Sequence, residues 1–514
     1  MNLVQDFLRA SAERAPDKVA LICREQIETF AQLERDSDCI ACELQRVGVS
    51  RGDRVAVFVD NSVELVVSVF GILKAGGVFV MINSTTKERK LAYIMNDCQV
   101  RAMVAQPHHV QVVTEAVSQA PSCQSLIWTA APPSGFQDSV SFPELREKNC
   151  EVLDPGVIDQ DLCTIIYTSG TTGRSKGVML THQNVVSTAR SIAQYLDNVP
   201  EDIVCCVLPL AFSYGLYQVF VLALVGHTLL LESSFAYPVD VLRRMERHKV
   251  TGFAGVPGIY ATILQVSRSA DLRLPTVRYL TNAAGPMSPA HIKEMLELFP
   301  HVKFYSMHGQ TECGRTCYMD PDRLAEKPAS VGKAMPNTEL YLVDEDGCRV
   351  GTDEVGEMVV RGANVMRGYW NMPEATASKL REGAILGEKV LLTGDLFRAD
   401  KDGDLFFVSR TDDIIKCRGE KVSPKEVEDV LHELDAVAEA AVVGVDDPVD
   451  GQAVKAFLVL REAREITEQQ VRLHCRARLE SHLVPKLIEI CESLPKTESG
   501  KLKRRGLTQS GSVP

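Results

Sequence analysis

Eleven residues, Tyr167-Thr168-Ser169-Gly170-Thr171-Thr172-Gly173-Arg174-Ser175-Lys176-Gly177, set the tightest limit on how the first half of this chain can fold. Five serine or threonine hydroxyls and three glycines fit neither a helix nor a strand interior. Glycine loses too much backbone entropy there, and the hydroxyls compete for backbone hydrogen bonds. The apolar runs on either side, Leu162 to Ile166 and Val178 to Leu180, therefore read as two strands joined by an open loop. Glycines let backbone N–H groups approach an anion, hydroxyls add donors, and Lys176 brings a mobile positive charge. The combination is a grip for polyphosphate.

The loop is not the phosphate loop of kinases and GTPases, G-x-x-x-x-G-K-[ST]. Counting from Gly170, the second required glycine falls on Ser175, and Gly177 stands where a Ser or Thr would hold magnesium. At 514 residues the chain is too long for one core, so two or more domains are expected. A formal charge of −12 argues against a nucleic acid or an anionic membrane as the main partner. No stretch approaches the roughly 20 apolar residues that cross a bilayer, and Asp6, Arg9 and Glu13 interrupt any leader-like run. Val219 to Leu231 contains Gly226 and His227 and reads as buried core. The single C-x-x-C, Cys39 to Cys42, lies in a helical segment without a second pair at zinc-finger spacing, so the 15 cysteines read as reduced thiols of a cytoplasmic protein.

From the start to about residue 305, strand and helix patterns alternate, as in Val55 to Val59, Ser62 to Lys74 and Val78 to Ile82. The rhythm predicts an α/β fold with mainly parallel sheets flanked by helices. Short β patterns then take over, among them Thr338 to Val343 before the turn Asp344-Glu345-Asp346-Gly347, and Leu405 to Val408 after Asp400 to Asp404. A boundary is expected at Arg410 to Asp413. This divides the chain into a large domain, 1–409, with a small β region, a hinge at 410–413, and a small mobile α+β domain at 414–514. In that last part Ser423 should cap a helix from Pro424 to Leu434, followed by strands at Val437 to Val445 and Gln452 to Leu460, a helix from Thr467 to Leu479 and a strand at Leu487 to Ile490. Ser510 to Pro514 should lack order.

Five further segments follow in order: Phe212-Ser213-Tyr214-Gly215, Thr281-Asn282-Ala283-Ala284-Gly285-Pro286, His308-Gly309-Gln310-Thr311-Glu312, Thr393-Gly394-Asp395, and Pro495-Lys496-Thr497-Glu498-Ser499-Gly500-Lys501. Taken singly, most would pass for plain turns, surface charges or core aromatics. Together with the glycine–hydroxyl loop, they resemble the signature set of the adenylate-forming superfamily: acyl-CoA synthetases, adenylation domains and luciferases. The resemblance covers nearly the whole chain.

That resemblance implies roles for particular residues. Thr168, Ser169, Gly170, Thr171, Thr172, Gly173 and Lys176 would hold the phosphates of ATP. Ala284, Gly285, His308 and Gly309 would lie along adenine, with His308 standing where relatives carry tyrosine. Thr311 would bond a phosphate, and Glu312 would hold magnesium, a hard ion that prefers oxygen ligands. Asp395 and Arg410 would take the ribose. Lys501 would stabilise charge developing at the α-phosphate, so the catalytic set is Lys501, Thr311, Glu312 and Lys176. Phe212, Ser213, Tyr214, Met307 and Gly309 would form a mainly apolar acid pocket. Phe212 with Lys416, Arg418, Gly419 and Glu420 would line a thiol channel, and Asp412 would be the pivot.

The implied reaction is formation of an acyl-AMP from a carboxylic acid and ATP·Mg²⁺, then transfer of the acyl group to a thiol. Ser213 occupies the position where amino-acid-activating relatives carry the Asp that pairs with the substrate ammonium. A buried ammonium without a counter-charge is costly, so a fatty or aryl acid is expected. The expected thiol is that of coenzyme A. The alternative is the phosphopantetheine arm of an acyl carrier protein supplied in trans, because Phe212 and the Tyr305-to-Cys313 segment also resemble stand-alone ligases. A monomer and a homodimer both fit. The chain ends without the targeting tripeptide of luciferases, and Lys176, Glu312, Asp395 and Lys501 are all intact, which argues against an inactive scaffold.

Overall fold

The computed structural model describes residues 2–136, 139–148, 151–168, 175–269, 274–411, 413–417, 420–447, 451–497, 502–504 and 507, with backbone only at 268, 269, 416, 421 and 451. The tail at 510–514 lies outside these residues. The two runs that bracket the glycine–hydroxyl loop are strands, Leu162–Thr168 and Lys176–Thr181, paired antiparallel with Thr168 opposite Lys176. They belong to an eight-stranded sheet that continues through the parallel strands Val78–Met81, Arg54–Phe58, Ala102–Ala105, Ser125–Trp128 and Val140–Ser141.

A second sheet of fourteen strands has a parallel section made of Lys303–His308, Tyr279–Asn282, Gly252–Gly255, Ile203–Cys206, Thr228–Leu231 and Val19–Cys23. Strands such as Thr228–Leu231 and Tyr279–Asn282 are buried along their full length, as expected when helices cover both faces. The small β region expected after residue 305 is present and continues this sheet: Cys317–Tyr318 pairs with Met307 and His308, and the ladder runs on antiparallel through Ser330–Ala334, Leu405–Arg410, Lys389–Ala399, Val355–Gly362 and Thr338–Val343. One continuous ladder thus carries His308 on a parallel strand and Asp395 and Arg410 on antiparallel ones.

Helices fill the space between the sheets. Val63–Lys74 is buried on all sides, with Ser62 accepting from the Leu65 N–H at its start. Its Lys74 is fully buried and tolerable only because Glu34 and Asp38 stand 2.8 and 2.7 Å from the ammonium. The apolar run Val219 to Leu231 is divided by Gly226, whose φ of +83° ends the helix Ser213–Val225 and turns the chain into the strand Thr228–Leu231. Cys39 and Cys42 lie on the helix Phe30–Arg46, and no described cysteine forms a disulfide. No described helix is long and apolar enough to cross a membrane.

A third sheet contains Glu420–Val422, Ile415–Cys417, Gly451–Leu460, Val437–Asp447 and, parallel to the third of these, Leu487–Ile490. With the helices Pro424–His432 and Glu468–Arg476 it encloses its own apolar clusters. Ser423 and Thr467 cap these helices, as their position before the apolar periodicity predicts. This unit meets the rest of the chain through the Arg461–Glu294 pair at 3.4 Å and the edge-to-face contact of His432 with His291.

Candidate functional site

The carboxyl ends of parallel strands are where open α/β sheets hold ligands, because loops leave the sheet there in opposite directions. Two such ends define the site. Ala283 to Pro286 follow the strand Tyr279–Asn282, and His308 closes the strand Lys303–His308. Facing them across a cleft of about 310 Å³ is the carboxy-terminal unit. Asn282, His308 and Asp395 stand on one wall, and Glu428, Lys496 and Arg504 on the other. Ala284 holds φ at +70°, a left-handed conformation rare for a residue with a Cβ and commonest at functional turns.

Asp395 is the electrostatic centre of the first wall and is 3% exposed. Its Oδ2 accepts from His308 Nε2 at 2.9 Å and Gln310 Nε2 at 2.6 Å. Arg410, directly opposite in the ladder, brings a guanidinium N–H to 3.1 Å from Oδ1. Burial by itself would raise the carboxyl pKa; His308, Arg410 and Gln310 outweigh it and hold the group below its ordinary value. His308 is fixed at both nitrogens, since Nδ1 lies 2.8 Å from the Thr316 hydroxyl. Its ring packs edge-to-face on Phe397. The imidazole therefore orients Asp395 in addition to facing the cleft. Asn282 Oδ1 is buried without accepting a hydrogen bond, whereas Asp395 Oδ1 faces the Arg410 guanidinium. An orphan acceptor is rare in a native interior and suits a donor arriving with a ligand, such as an adenine amine.

A second group lies toward the glycine–hydroxyl loop. Glu312 is half-buried, and its Oε1 accepts from the Tyr369 hydroxyl at 2.8 Å. Lys176 stands over the face of the same tyrosine, 5.2 Å from the ring centre. Neither Glu312 nor Lys176 has an ion-pair partner among the described residues, leaving a carboxylate suited to a hard cation and an ammonium suited to phosphate.

Of the residues singled out from sequence, the cleft brings together Ala284, Gly285, Met307, His308, Gly309, Asp395 and Arg410. Thr311 and Glu312 follow in the adjoining turn, and Thr168 and Lys176 meet across the ladder. Ser169, Gly170, Thr171, Thr172, Gly173, Asp412, Arg418, Gly419 and Lys501 lie outside the described residues. The hairpin bearing Lys416 and Glu420 does not line the cleft. Phe212, Ser213 and Tyr214 stand behind it at the start of the helix Ser213–Val225, with the Tyr214 hydroxyl donating to the Thr281 carbonyl. The surroundings of Tyr214, expected to be mainly apolar, include the Arg315 guanidinium, which covers its ring at 4.7 Å. Sequence reasoning missed Arg315, Gln310, Thr316 and Tyr369. An arginine inside the otherwise uncharged run Cys313 to Met319 was the one available signal, and Tyr369 offered none.

Comparison with known proteins gives concordant results. The AMP-binding enzyme family matches residues 8–370, and the AMP-binding enzyme C-terminal domain matches residues 426–501. A long-chain-fatty-acid–CoA ligase of Bacillus subtilis is 31% identical over 98% of this chain and 94% of its own length. The anthranilate CoA ligase AuaEII, solved with anthranoyl-AMP, superposes with a TM-score of 0.90 at 26% identity, covering 99% of this chain and 97% of the other. A benzoate CoA ligase from Burkholderia xenovorans gives 0.87 at 28% identity, covering 98% and 99%.

Proposed function

The chain belongs to the AMP-binding enzyme family, and within it we propose an acid–thiol ligase that activates a fatty or aryl carboxylic acid as its acyl-AMP and passes the acyl group to coenzyme A. One observation carries this reading: a cleft with Asp395, Arg410 and His308 on one wall, Asn282 Oδ1 buried there as an orphan acceptor, and Lys496, Leu502 and Arg504, which flank the end of the 495–501 motif, on the other. A carboxylate oxygen of the acid bonds to the α-phosphorus, and the bond from that phosphorus to the bridging oxygen breaks, releasing pyrophosphate. The carboxylate is already a nucleophile, so the protein's work is to position it and to neutralise charge. Asp395 and Arg410 hold the ribose, while Lys176 and the loop 168–173 hold the phosphates. Magnesium, when held by Glu312, offsets phosphate charge. In the second half the thiol sulfur bonds to the acyl carbon, the thiol proton is lost, and AMP leaves. Residues 414–514 act as the lid, pivoting at Asp412 so that the hairpin carrying Lys416 and Glu420 replaces Lys501 at the cleft.

The decisive assay is magnesium-dependent pyrophosphate release across fatty, aryl and amino acids, followed by thioester formation with coenzyme A and with a holo-carrier protein. Release with fatty or aryl acids and transfer to coenzyme A are expected. Silence across the acid panel defeats the adenylation reading, and transfer to the carrier alone defeats the coenzyme A assignment.

Tyr369 provides a narrower check. Phe at this position removes the hydroxyl that orients Glu312, so the magnesium concentration for half-maximal pyrophosphate release should rise about 10-fold, the range found for groups that orient metal ligands. An unchanged magnesium requirement would remove Glu312 from the metal role.

A further inference from the structure

Arg315 is 5% exposed, and among the described residues no carboxylate lies within ion-pairing distance of its guanidinium. Its Nε is buried and donates no hydrogen bond. Around it stand three tyrosines. Tyr214 offers its ring face at 4.7 Å, the Tyr195 hydroxyl is within hydrogen-bonding range, and Tyr217 adds a third phenol. Burial pushes all three phenols upward, Tyr195 to about 12, so they stay neutral and none supplies a counter-charge. The Tyr214 hydroxyl donates to the Thr281 carbonyl and the Tyr195 hydroxyl to the Met307 sulfur, so the phenols offer Arg315 neutral oxygens and no anion. Elsewhere in this protein a fully buried cation is neutralised directly, as Lys74 is by Glu34 and Asp38. A guanidinium removed from water without an anion carries a desolvation penalty that ring contacts only partly offset.

The position of the charge indicates what would offset it. Met307 and Gly309 line the cleft, and one terminal guanidinium nitrogen of Arg315 comes within 3.3 Å of where a Cβ on Gly309 would stand. Glycine is enforced at 309 because such a Cβ would also fall 2.3 Å from the Gly314 carbonyl oxygen. The guanidinium therefore lies directly against the backbone of Gly309, a residue of the cleft wall. We propose that Arg315 receives a second carboxylate on the acid substrate, so that the enzyme activates a compact dicarboxylic acid, aliphatic or aryl, at one end while Arg315 holds the other. A guanidinium suits this because its planar fork of donors matches a carboxylate bidentately.

The inference rests on the adenylation chemistry proposed above and narrows its substrate. It is tested by pyrophosphate release with succinate, glutarate, adipate and phthalate against monoacids of matched size, butyrate, valerate, hexanoate and benzoate. The wild-type enzyme should favour its best diacid over the matching monoacid by roughly 100-fold or more in kcat/KM, because a site built for a charged group rejects the analogue that lacks it. Arg315→Met should bring that ratio close to one with the KM for ATP unchanged. Arg315→Gln, polar and neutral, should do the same should the methionine variant fail to fold, and Arg315→Lys should keep part of the preference. Equal use of monoacids by the wild type, or a diacid preference that survives in the neutral variants, overturns the role of Arg315 while leaving adenylation standing. Absence of pyrophosphate release with all of these acids and with the wider fatty and aryl panel overturns both.

Discussion

Lys501→Ala is expected to lower acyl-AMP formation by at least about 100-fold while leaving thioester formation from supplied acyl-AMP within a few-fold of wild type. The first figure is that of one well-placed donor to charge developing in a transition state, roughly 3 kcal/mol. Lys501 lies outside the described residues; described residues on either side of it border the cleft. Lys496 and Leu502 pair as an antiparallel bridge, the Lys503 N–H donates to the Pro495 carbonyl at 2.8 Å, and Lys496, Leu502 and Arg504 line the cleft opposite His308 and Asp395. The two rates are read separately, by pyrophosphate release and by acyl transfer from synthetic acyl-AMP to coenzyme A. Equal loss of both would contradict a lid that presents different residues in the two halves.

The second large effect is expected at Asp395. Asp395→Ala should raise the KM for ATP about 100-fold, because each hydrogen bond from a neutral hydroxyl to a buried carboxylate contributes about 1.5–3 kcal/mol and the ribose offers two. The substitution also leaves the His308 and Gln310 N–H groups without their acceptor, so thermal stability should fall along with affinity. Asp395→Asn separates the two effects, since it keeps the volume and loses the charge; its ATP KM should rise with a smaller fall in melting temperature. The pKa of Asp395 is depressed on folding, so its contribution to stability is complete above the ordinary carboxylate range and is lost only as pH drops through the lower folded value. The KM for ATP in the wild type should therefore be insensitive to this group throughout the neutral range. An ATP KM that stays at the wild-type value in Asp395→Ala would remove the residue from the nucleotide site.

Much of the architecture was legible because it is written in short-range patterns. The strands at 162–168 and 176–181 follow from apolar runs around a glycine-rich break. The carboxy-terminal helix follows from Ser423-Pro424 ahead of a helical periodicity, although it ends at His432 rather than Leu434. The small β region was legible as β within the large domain, but not the strand it would join. Nothing local in Cys317-Tyr318 announces that it will pair with Met307 and His308 and extend a sheet already formed. The motif residues were named through resemblance, and the cleft brings Ala284, Gly285, His308, Gly309, Asp395 and Arg410 together in its lining. The contacts that tune them were not: His308 meets Asp395 across 87 residues of sequence, and Glu312 meets Tyr369 across 57.

By itself, then, the amino-acid sequence determined which segments become strands, helices and caps, and which short motifs stand at their ends. Hydrogen-bond periodicity and apolar spacing act within a few residues of one another. Only the tertiary structure decided that Asn282 would keep a buried acceptor unpaired, that Arg410 and His308 would converge on Asp395, that Tyr369 would orient Glu312, and that Arg315 would be buried among phenols with no anion beside it among the described residues. Charge compensation and desolvation depend on which distant segments the packed sheets bring within a few ångströms, and no local pattern carries that information.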